Sequence, residues 1–361
     1  MKIMLISYEN FEYDGRLREL YSVFNALGTV YLITNGETAV SNTHYLISKT
    51  GYGVFLKEVL KYKRQIGNVD VLVLDNRKAT IPGLIIKMFS NTVVVQDCRE
   101  LYESKNIHHI IGKIGCFFEK KSINQADVII CANEQRAQMM RSMYNLRKSP
   151  LVFENLRKLE YSEGVLLEEL EKKFEEYIHA DEFRIISTSG CDFSRLNDIL
   201  VRNLTKVKKN VRLILIGDKQ SDDYRNILKI IHDNQLDNNV SILGRLNQSE
   251  LKYLINRSHI GIVSYNQRDL NNKFCASGKI YEFIYEGIPV VTTTNEPLKK
   301  LCDTEKIGVA DDNFYNGINS VLDNYQFYKN NAIQFGKEHP VKENNDKLQN
   351  SMKSIFEHNV I

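Results

Sequence analysis

The chain has 361 residues, of which 43 % are apolar and 26 % are charged. That length exceeds what one hydrophobic core usually serves, so two domains are expected, and the composition is that of a folded, water-soluble protein. The 48 basic and 45 acidic residues nearly balance, which excludes a nucleic-acid-binding protein with a dominant basic face.

Short β-branched runs alternate with helix-period segments through the first half of the chain. This pattern predicts repeated βα units and a parallel sheet covered on both faces. The strand candidates begin at Lys2, Thr29, Val69, Asn91, Ala126 and Pro150. The clearest helix is predicted from Arg16 to Leu27, because apolar residues recur there on one face and Gly28 ends the run. Those apolar residues are Leu17, Leu20, Tyr21, Phe24 and Leu27.

The segment from Leu156 to Glu182 is dense in charge and poor in β-branched residues, which favours a linker with an exposed helix. A second βα series follows, and one of its helices has a capping-box signal, Asn247 with Glu250 three residues later. We therefore expect an N-terminal domain at 1–160, a linker at 161–182, a C-terminal domain at 183–340 and a final helix at 341–361 that packs back on the first domain. The strand candidates of the second series begin at Arg184, Val211, Asn239, His259, Ile288 and Lys306.

The predicted fold is α/β, with two doubly wound Rossmann-like domains that face each other across a cleft. Open α/β sheets bind ligands beyond the carboxyl ends of their strands, so the cleft is the expected site.

Six scattered cysteines without a C-x-x-C pair favour a reduced, cytoplasmic compartment and exclude a zinc cluster of the usual spacing. The N-terminus lacks the apolar core of a signal peptide, and no apolar run reaches the roughly 18 residues of a membrane span. Contact with a membrane is therefore expected only at its surface.

The segment from Phe274 to Thr292 combines a helix with ligand-binding chemistry. Gly278 can begin the helix and Gly287 can end it before the strand that follows Pro289. A diphosphate could bind at the helix N-terminus, near Ala276, Ser277 and Gly278, with Lys279 beside it. Glu282, one turn further, could accept hydrogen bonds from a ribose diol. The alternative is a solvated helix face that carries a weak Lys–Glu pair.

The residues from Lys279 to Val291, K-x-Y-E-x-x-x-x-G-x-P-V-V, resemble the donor-nucleotide segment of GT-B glycosyltransferases, in particular family four. Further segments resemble that family in the same order, at Asp14, Val93, Phe117, Val211 and Ser241. The resemblance implies a retaining hexosyl- or N-acetylhexosaminyl-transferase that uses a UDP-sugar or GDP-sugar and no other cofactor. Glu282 would hold the ribose, and Arg195, after the turn at Gly190, would contact the donor diphosphate. Gly217 and Arg245 would line the base and ribose pocket.

The chain departs from the family at two positions. Phe274 stands where the first acid of a glutamate pair is found, which leaves the choice of donor sugar to other residues. Arg99 stands where many relatives have a histidine, and an arginine cannot serve as a general base. No D-x-D motif is present, so the resemblance implies metal-independent transfer, with Arg195 and Lys279 in place of the ion.

The acceptor is expected on the N-terminal domain, at the loop Asp14, Gly15 and Arg16. The loop after the strand at Val93 supplies the catalytic candidates Asp97, Arg99 and Glu100, and His108 or His109 is a further candidate for acceptor contact or for a base. Relatives retain the anomeric configuration by a front-face mechanism, in which the departing phosphate takes the proton of the acceptor and no enzymatic base is needed.

The segment from Ile107 to Ile123 combines apolar residues with lysines, and a second basic cluster contains Lys57, Lys61, Lys63 and Arg64. These patches could contact anionic lipid headgroups at the inner face of the plasma membrane and present a lipid-linked acceptor. Alternatively, the segment is a buried helix face opposite a solvated one.

The leading hypothesis is a glycosyltransferase that acts on a glycan or lipid-linked saccharide in bacterial surface-polysaccharide assembly, such as capsule or lipopolysaccharide. The second is a non-catalytic GT-B partner subunit, which the replacements at Phe274 and Arg99 favour. A third is a GT-B nucleotide-sugar epimerase. A dinucleotide oxidoreductase is disfavoured because no G-x-G-x-x-G follows a strand.

Overall fold

The computed structural model describes residues 1–48, 51–179 and 181–358. The chain divides into two compact units, Met1–Asn155 with Val341–Ile361, and Leu156–Pro340. Each unit is built on one parallel sheet with helices between its strands. The α/β class and the two Rossmann-like domains are therefore confirmed.

The first unit contains a seven-stranded parallel sheet in the order β3-β2-β1-β4-β5-β6-β7. Its strands are β1 Lys2–Asn10, β2 Thr29–Asn35, β3 His44–Ile47, β4 Val71–Asp75, β5 Val93–Cys98, β6 Val128–Cys131 and β7 Leu151–Val152. Its helices up to Asn155 are α1 Gly15–Asn25, α2 Tyr52–Ile66, α3 Thr80–Met88, α4 Ile110–Gln125 and α5 Glu134–Tyr144.

Strand β3 was not among the predicted strands. It is a four-residue edge strand with only two buried residues, and its His44 ring lies 2.8 Å from the Thr34 hydroxyl on β2. Because it pairs on one side only and is short, it carries little of the alternating pattern by which strands are recognised.

Helix α1 begins one residue before the predicted start and ends two residues before the predicted end. Its N-cap is Asp14, whose carboxylate accepts a hydrogen bond from the backbone N–H of Leu17 at 2.8 Å. Tyr21 and Leu27 are only partly buried. Leu27 lies beyond the end of the helix at Asn25, and Val23 is buried on the helix face where Tyr21 was expected. The buried residues are Leu17, Leu20, Val23 and Phe24.

The second unit contains a six-stranded parallel sheet in the order β10-β9-β8-β11-β12-β13. Its strands are β8 Phe183–Ser187, β9 Val211–Ile216, β10 Val240–Leu243, β11 Ile260–Val263, β12 Val290–Thr292 and β13 Gly308–Ala310. Its helices are α6 Leu167–Phe174, α7 Asn197–Asn203, α8 Asp222–Asp233, α9 Gln248–Asn256, α10 Leu270–Lys273, α11 Gly278–Ile284, α12 Glu296–Glu305, α13 Tyr315–Asp323 and α14 Tyr325–Glu338.

The predicted capping box is present at the start of α9. The Asn247 side chain accepts a hydrogen bond from the backbone N–H of Glu250 at 3.0 Å, and the Glu250 carboxylate accepts one from the backbone N–H of Asn247 at 2.9 Å. A four-residue local pattern was sufficient to place this helix start.

The last helix, α15 Val341–His358, belongs to the first unit. It packs on α1, and three of its side chains join the core that β1, β4 and β5 form with that helix. They are Leu348, Met352 and Phe356.

None of the helices within the described residues is both long and apolar enough to cross a lipid bilayer.

Candidate functional site

The loop after β8 presents Arg195 on a rigid frame. The side chain of Asn197 is fully buried and bridges Ser187 and Ser189, with contacts of 3.1 Å to each hydroxyl. Arg195 ends a short 3₁₀ turn just before α7, and its guanidinium lies over the ring of Tyr265 at 3.9 Å. Cation–π stacking of this kind restricts an arginine without using its hydrogen-bond donors. Arg195 is therefore positioned while its donors remain available.

Two glycines allow the backbone of this loop to approach the end of β9. Gly190 has φ +66°, and a Cβ at Gly217 would lie 2.5 Å from the Gly190 Cα. Any side chain at position 217 would therefore separate the loops after β8 and β9.

Helix α11 begins at the predicted residue, but more of its side chains are buried than predicted. It begins at Gly278, and Gly287 has φ +70° in the turn that leads to β12. Ile280, Phe283 and Ile284 are buried on one face of the helix. Glu282, however, is only 3 % exposed, so the polar residues of this helix do not form the solvated stripe of the alternative interpretation.

The loops after β8 and β9 and the start of α11 enclose a cavity of about 420 Å³. Arg195, Arg245 and Lys279 bring three cationic groups to its wall. Asp192 is the one acidic side chain among the lining residues. Such a wall attracts an anion. The other lining residues are Thr188, Ser189, Ile216, Gly217, Leu246 and Leu251.

Several buried polar atoms at this site lack an internal partner. Within the described residues, Arg195 Nη1, Thr188 Oγ1 and Ser277 Oγ have no hydrogen-bond partner. Buried polar atoms are otherwise almost always paired, because an unpaired one costs about 1–3 kcal/mol. Arg195 and Thr188 both line the cavity, so these atoms are available to a ligand.

The ammonium group of Lys279 joins α11 to the β8 loop. Its Nζ donates a hydrogen bond to the carbonyl oxygen of Thr188 at 2.5 Å. Burial lowers the pKa of Lys279 to about 8; Glu282 opposes this change, while Arg195 and Arg157 add to it. A bound anion would offset the electrostatic repulsion between these cations.

The carboxylate of Glu282 is paired with a residue from the start of the second unit. Arg157 Nε lies 3.1 Å from Glu282 Oε1. Burial raises the pKa of Glu282, and the positive charges of Arg157 and Lys279 oppose that change. The carboxylate that was expected to hold a ribose thus has an arginine partner in this structure.

In the first unit, Asp97 and Arg16 form a buried bidentate pair. Arg16 Nε donates to Asp97 Oδ2 at 2.8 Å and Nη2 to Oδ1 at 2.7 Å. Nη1 donates to the Phe153 carbonyl at 2.7 Å and to Asn155 Oδ1 at 2.6 Å. The two side chains are 7 % and 0 % exposed. Arg16, which was expected to contact the acceptor, is therefore bound by residues of its own unit.

Arg99 is held by a second set of carboxylates. Its Nε and Nη2 donate to the two oxygens of Asp75 at 2.5 and 2.9 Å, and Nη1 donates to Asp14. Burial alone would lower the pKa of Arg99, but Asp75, Asp14 and Asp97 outweigh it and raise it. Burial raises the pKa of Asp75 to about 6, with Arg99 opposing. Arg99 thus ties the β1–α1 loop to the end of β4.

The other predicted residues of the first unit contribute no side chain to this network within the described residues. The Glu100 carboxylate accepts a hydrogen bond from the Tyr102 hydroxyl. His108 is exposed in the segment before α4, and His109 caps that helix by accepting from the Gly112 N–H at 2.9 Å. Gly15 is the first residue of α1. Neither histidine contacts Asp97 or Arg99 within the described residues.

Comparisons with known proteins agree with this architecture. Residues 193–324 match the family model described as glycosyl transferases group 1. Sucrose-phosphate synthase from Thermosynechococcus elongatus is similar to the chain with a TM-score of 0.73 and 14 % identity, over 99 % of each chain. Anabaena HepE in complex with UDP-glucose gives a TM-score of 0.74 and 16 % identity, over 98 % of this chain and 100 % of its own. WaaG, a glycosyltransferase involved in lipopolysaccharide biosynthesis, gives 0.66 and 13 %, over 96 % and 98 %.

The chain has the GT-B fold of these structures, and its similarity to group 1 glycosyl transferases extends over residues 193–324. A search of curated protein sequences gives no match. The matched segment contains Arg195, Lys279 and Glu282 and lies wholly within the second unit.

Sequence reasoning missed three residues at or near this site, Thr188, Tyr265 and Arg157. Thr188 and Tyr265 each follow a strand of the second sheet, and the position after a strand end was an available signal. Arg157 gave no signal, because it lies in a charged segment without a motif and was expected in the N-terminal domain, whereas the structure places it in the second unit.

Proposed function

We propose that the chain transfers a sugar from a nucleoside-diphosphate donor to a glycan or lipid-linked acceptor, with the nucleotide in the second unit and the acceptor on the first. The cationic cavity at Arg195 and Lys279 carries this proposal, because it lies in the group 1 domain and its wall has unpaired hydrogen-bond donors. The leaving group of such a transfer is a nucleoside diphosphate, whose growing negative charge requires positioned cations.

In the proposed reaction, the bond between the anomeric carbon and the phosphate oxygen breaks. A bond from the acceptor oxygen forms on the same face of the sugar, and the acceptor proton passes to the departing phosphate. The configuration is therefore retained, and Asp97 and Glu100 are not required as bases. Arg195 and Lys279 stabilise the leaving diphosphate in place of a metal ion.

A thermal-shift panel of UDP, GDP, ADP and CMP sugars tests the donor site. One nucleotide class is expected to raise the Tm, since a ligand at about 100 times its Kd stabilises the folded state by about 2.7 kcal/mol. UDP-glucose is the first to test, because the similar HepE structure contains it. The absence of any shift across the panel would remove the proposed donor site.

Product analysis then distinguishes transfer from the alternatives. We expect nucleotide release with EDTA present and a glycoside with the anomeric configuration of the donor. Position 274 carries a buried phenylalanine instead of a carboxylate. This replacement favours the second candidate, a non-catalytic partner subunit. Such a subunit would bind nucleotide without releasing it, and an epimerase would isomerise the donor without an acceptor.

Helix α4 supports an acceptor that is presented at a membrane. Four large apolar side chains, here called the α4 surface, are exposed by 73, 78, 46 and 66 %. Three exposed lysines on the same helix, Lys113, Lys120 and Lys121, match anionic headgroups. A buried apolar face, the alternative drawn from the sequence, is not what α4 has at these positions. The α4 surface consists of Ile110, Ile111, Ile114 and Phe117.

We therefore propose that the enzyme acts at the inner face of the plasma membrane and binds it through the α4 surface. Replacing Ile111 and Phe117 by serine is expected to lower binding to vesicles with about 30 % anionic lipid at least tenfold, because each apolar side chain contributes roughly 1–2 kcal/mol on insertion. Vesicle flotation measures this. The matched control is Phe327→Ser, which removes a 54 % exposed aromatic ring from the second unit. Equal binding of both variants would contradict the membrane contact.

A further inference from the structure

The side chain of Arg157 is paired with Glu282, with Nε 3.1 Å from Oε1. It is 40 % exposed, whereas the Glu282 side chain is 3 % exposed. Within the described residues, Glu282 is the sole recorded partner of its guanidinium, so the terminal nitrogens retain donors. The residue lies outside the segment that matches the glycosyltransferase family.

The backbone around Arg157 is anchored to the same unit as Glu282. Leu156 and Leu159, on either side, are buried. Further along, Ser162 N donates to Ser249 Oγ at 2.8 Å and Gln248 Nε2 donates to the Glu160 carbonyl at 3.1 Å. Ser249 and Gln248 both belong to α9, so these contacts fix the segment against that helix of the second unit. Arg157 therefore approaches Glu282 from a preorganised position.

The charges around Glu282 make this pairing consequential. Lys279 on its own helix and Arg157 are the charged groups that act on it, and Arg157 has the larger effect. Glu286, an acid that lies just after the end of α11, is paired with Lys252. Lys279 in turn faces Arg195 and Asp192.

A buried carboxyl group loses its negative charge unless a cation compensates the loss of water. A neutral carboxyl would bind a diol less well, because charge-assisted hydrogen bonds are roughly twice as strong as neutral ones.

We propose that Arg157 is a positioning residue of the donor site, which keeps the Glu282 carboxylate charged and oriented to accept hydrogen bonds from the ribose hydroxyls of a nucleoside diphosphate. This inference rests on the proposed donor site. Arg157 acts on the nucleoside part of the donor through Glu282, whereas Arg195 and Lys279 act on the diphosphate.

Binding of two probes separates these roles. UDP contains ribose and diphosphate, and inorganic pyrophosphate contains only the phosphates. In isothermal titration calorimetry at pH 8, Arg157→Met is expected to weaken UDP binding about tenfold and to leave pyrophosphate binding unchanged. Arg157→Lys should restore most of the UDP affinity. In a Glu282→Gln background, Arg157→Met should have no further effect, since its partner charge is already absent.

The pH profile supplies a readout that general loss of packing would not change. The ratio of UDP affinities between wild type and Arg157→Met should grow as the pH falls, because burial without the Arg157 charge favours the protonated form of Glu282. The titration of UDP itself cancels in this ratio. With donor as substrate, the variant should raise KM more than it lowers kcat.

Three outcomes would overturn the inference. They are an equal loss of UDP and pyrophosphate affinity, tighter UDP binding by Arg157→Met, and a full effect of Arg157→Met in the Glu282→Gln background. If instead Lys279→Met leaves both probes unaffected, or the wild-type chain binds neither, the donor site itself is wrong. Circular dichroism melting of each variant confirms that it is folded.

Discussion

Replacing Lys279 by methionine is expected to weaken UDP binding roughly 30-fold at pH 7. Hydrogen bonds from a charged donor contribute about 1.5–3 kcal/mol, which corresponds to a factor of roughly 10 to 150. Methionine retains most of the aliphatic chain that packs in α11, so the change removes charge with little change in volume. Calorimetric titration of UDP and of pyrophosphate measures the loss, which should be similar for the two probes.

The same lysine should give UDP binding a distinctive pH dependence. Since burial lowers its pKa to about 8, the group is mostly charged at pH 7 and mostly neutral at pH 9. A diphosphate binds the charged form, so binding takes up a proton above pH 8 and affinity should fall about tenfold between pH 7 and pH 9. Lys279→Arg, which stays charged throughout, is the matched control and should show almost no slope. Equal slopes for wild type and Lys279→Arg would contradict the assignment of this titration to Lys279.

Local patterns were sufficient where the structure depends on local interactions. The start of α11 at Gly278, its buried Ile280 and Phe283, and the capping box of α9 all follow from residues within one or two helical turns. The alternation of strands and helices likewise predicted two parallel sheets, because each βα unit is set by its own periodicity.

Features that depend on distant pairs were not predictable from the same patterns. Glu282 was expected to hold a ribose or to face solvent, but Arg157, 125 positions earlier in the sequence, lies against it. Arg16 was expected to contact the acceptor, but Asp97 binds it from another strand end. A single sequence indicates that a residue is charged without indicating which opposite charge the fold brings to it.

Asp97 and Arg99, which were predicted to be catalytic, both belong to a network of charged pairs in the first unit. Asp75 and Asp97 stand at the carboxyl ends of β4 and β5 and are in register with each other, and Ser7 on β1 is in register with Asp75. Three acids, Asp14, Asp75 and Asp97, share two arginines there. Such a network fixes the β1–α1 loop, and it leaves no free carboxylate at Asp97 for proton transfer.

Asp97→Ala is accordingly expected to lower the free energy of unfolding by about 3–5 kcal/mol, which is the usual effect of leaving one charge of a buried pair without its partner. Arg16 would keep two of its contacts, to Phe153 and Asn155, but its Nε and Nη2 would lose theirs. Asp97→Asn should cost less, because the amide oxygen still accepts one hydrogen bond. Urea denaturation of the purified variants measures both values, and Glu12→Ala, at an exposed position near the same loop, should change stability by less than about 0.5 kcal/mol.

Comparing stability with turnover then separates a structural Asp97 from a catalytic one. If Asp97 is structural, Asp97→Asn should lower the stability of the protein, while its folded fraction keeps a kcat within a few-fold of wild type. The reason is that front-face transfer passes the acceptor proton to the leaving phosphate. A catalytic base would behave in the opposite way, with little change in the urea midpoint and a loss of kcat of about 10²–10⁴. Because Asp97 is completely buried and both of its oxygens already accept hydrogen bonds from Arg16, we expect the first result.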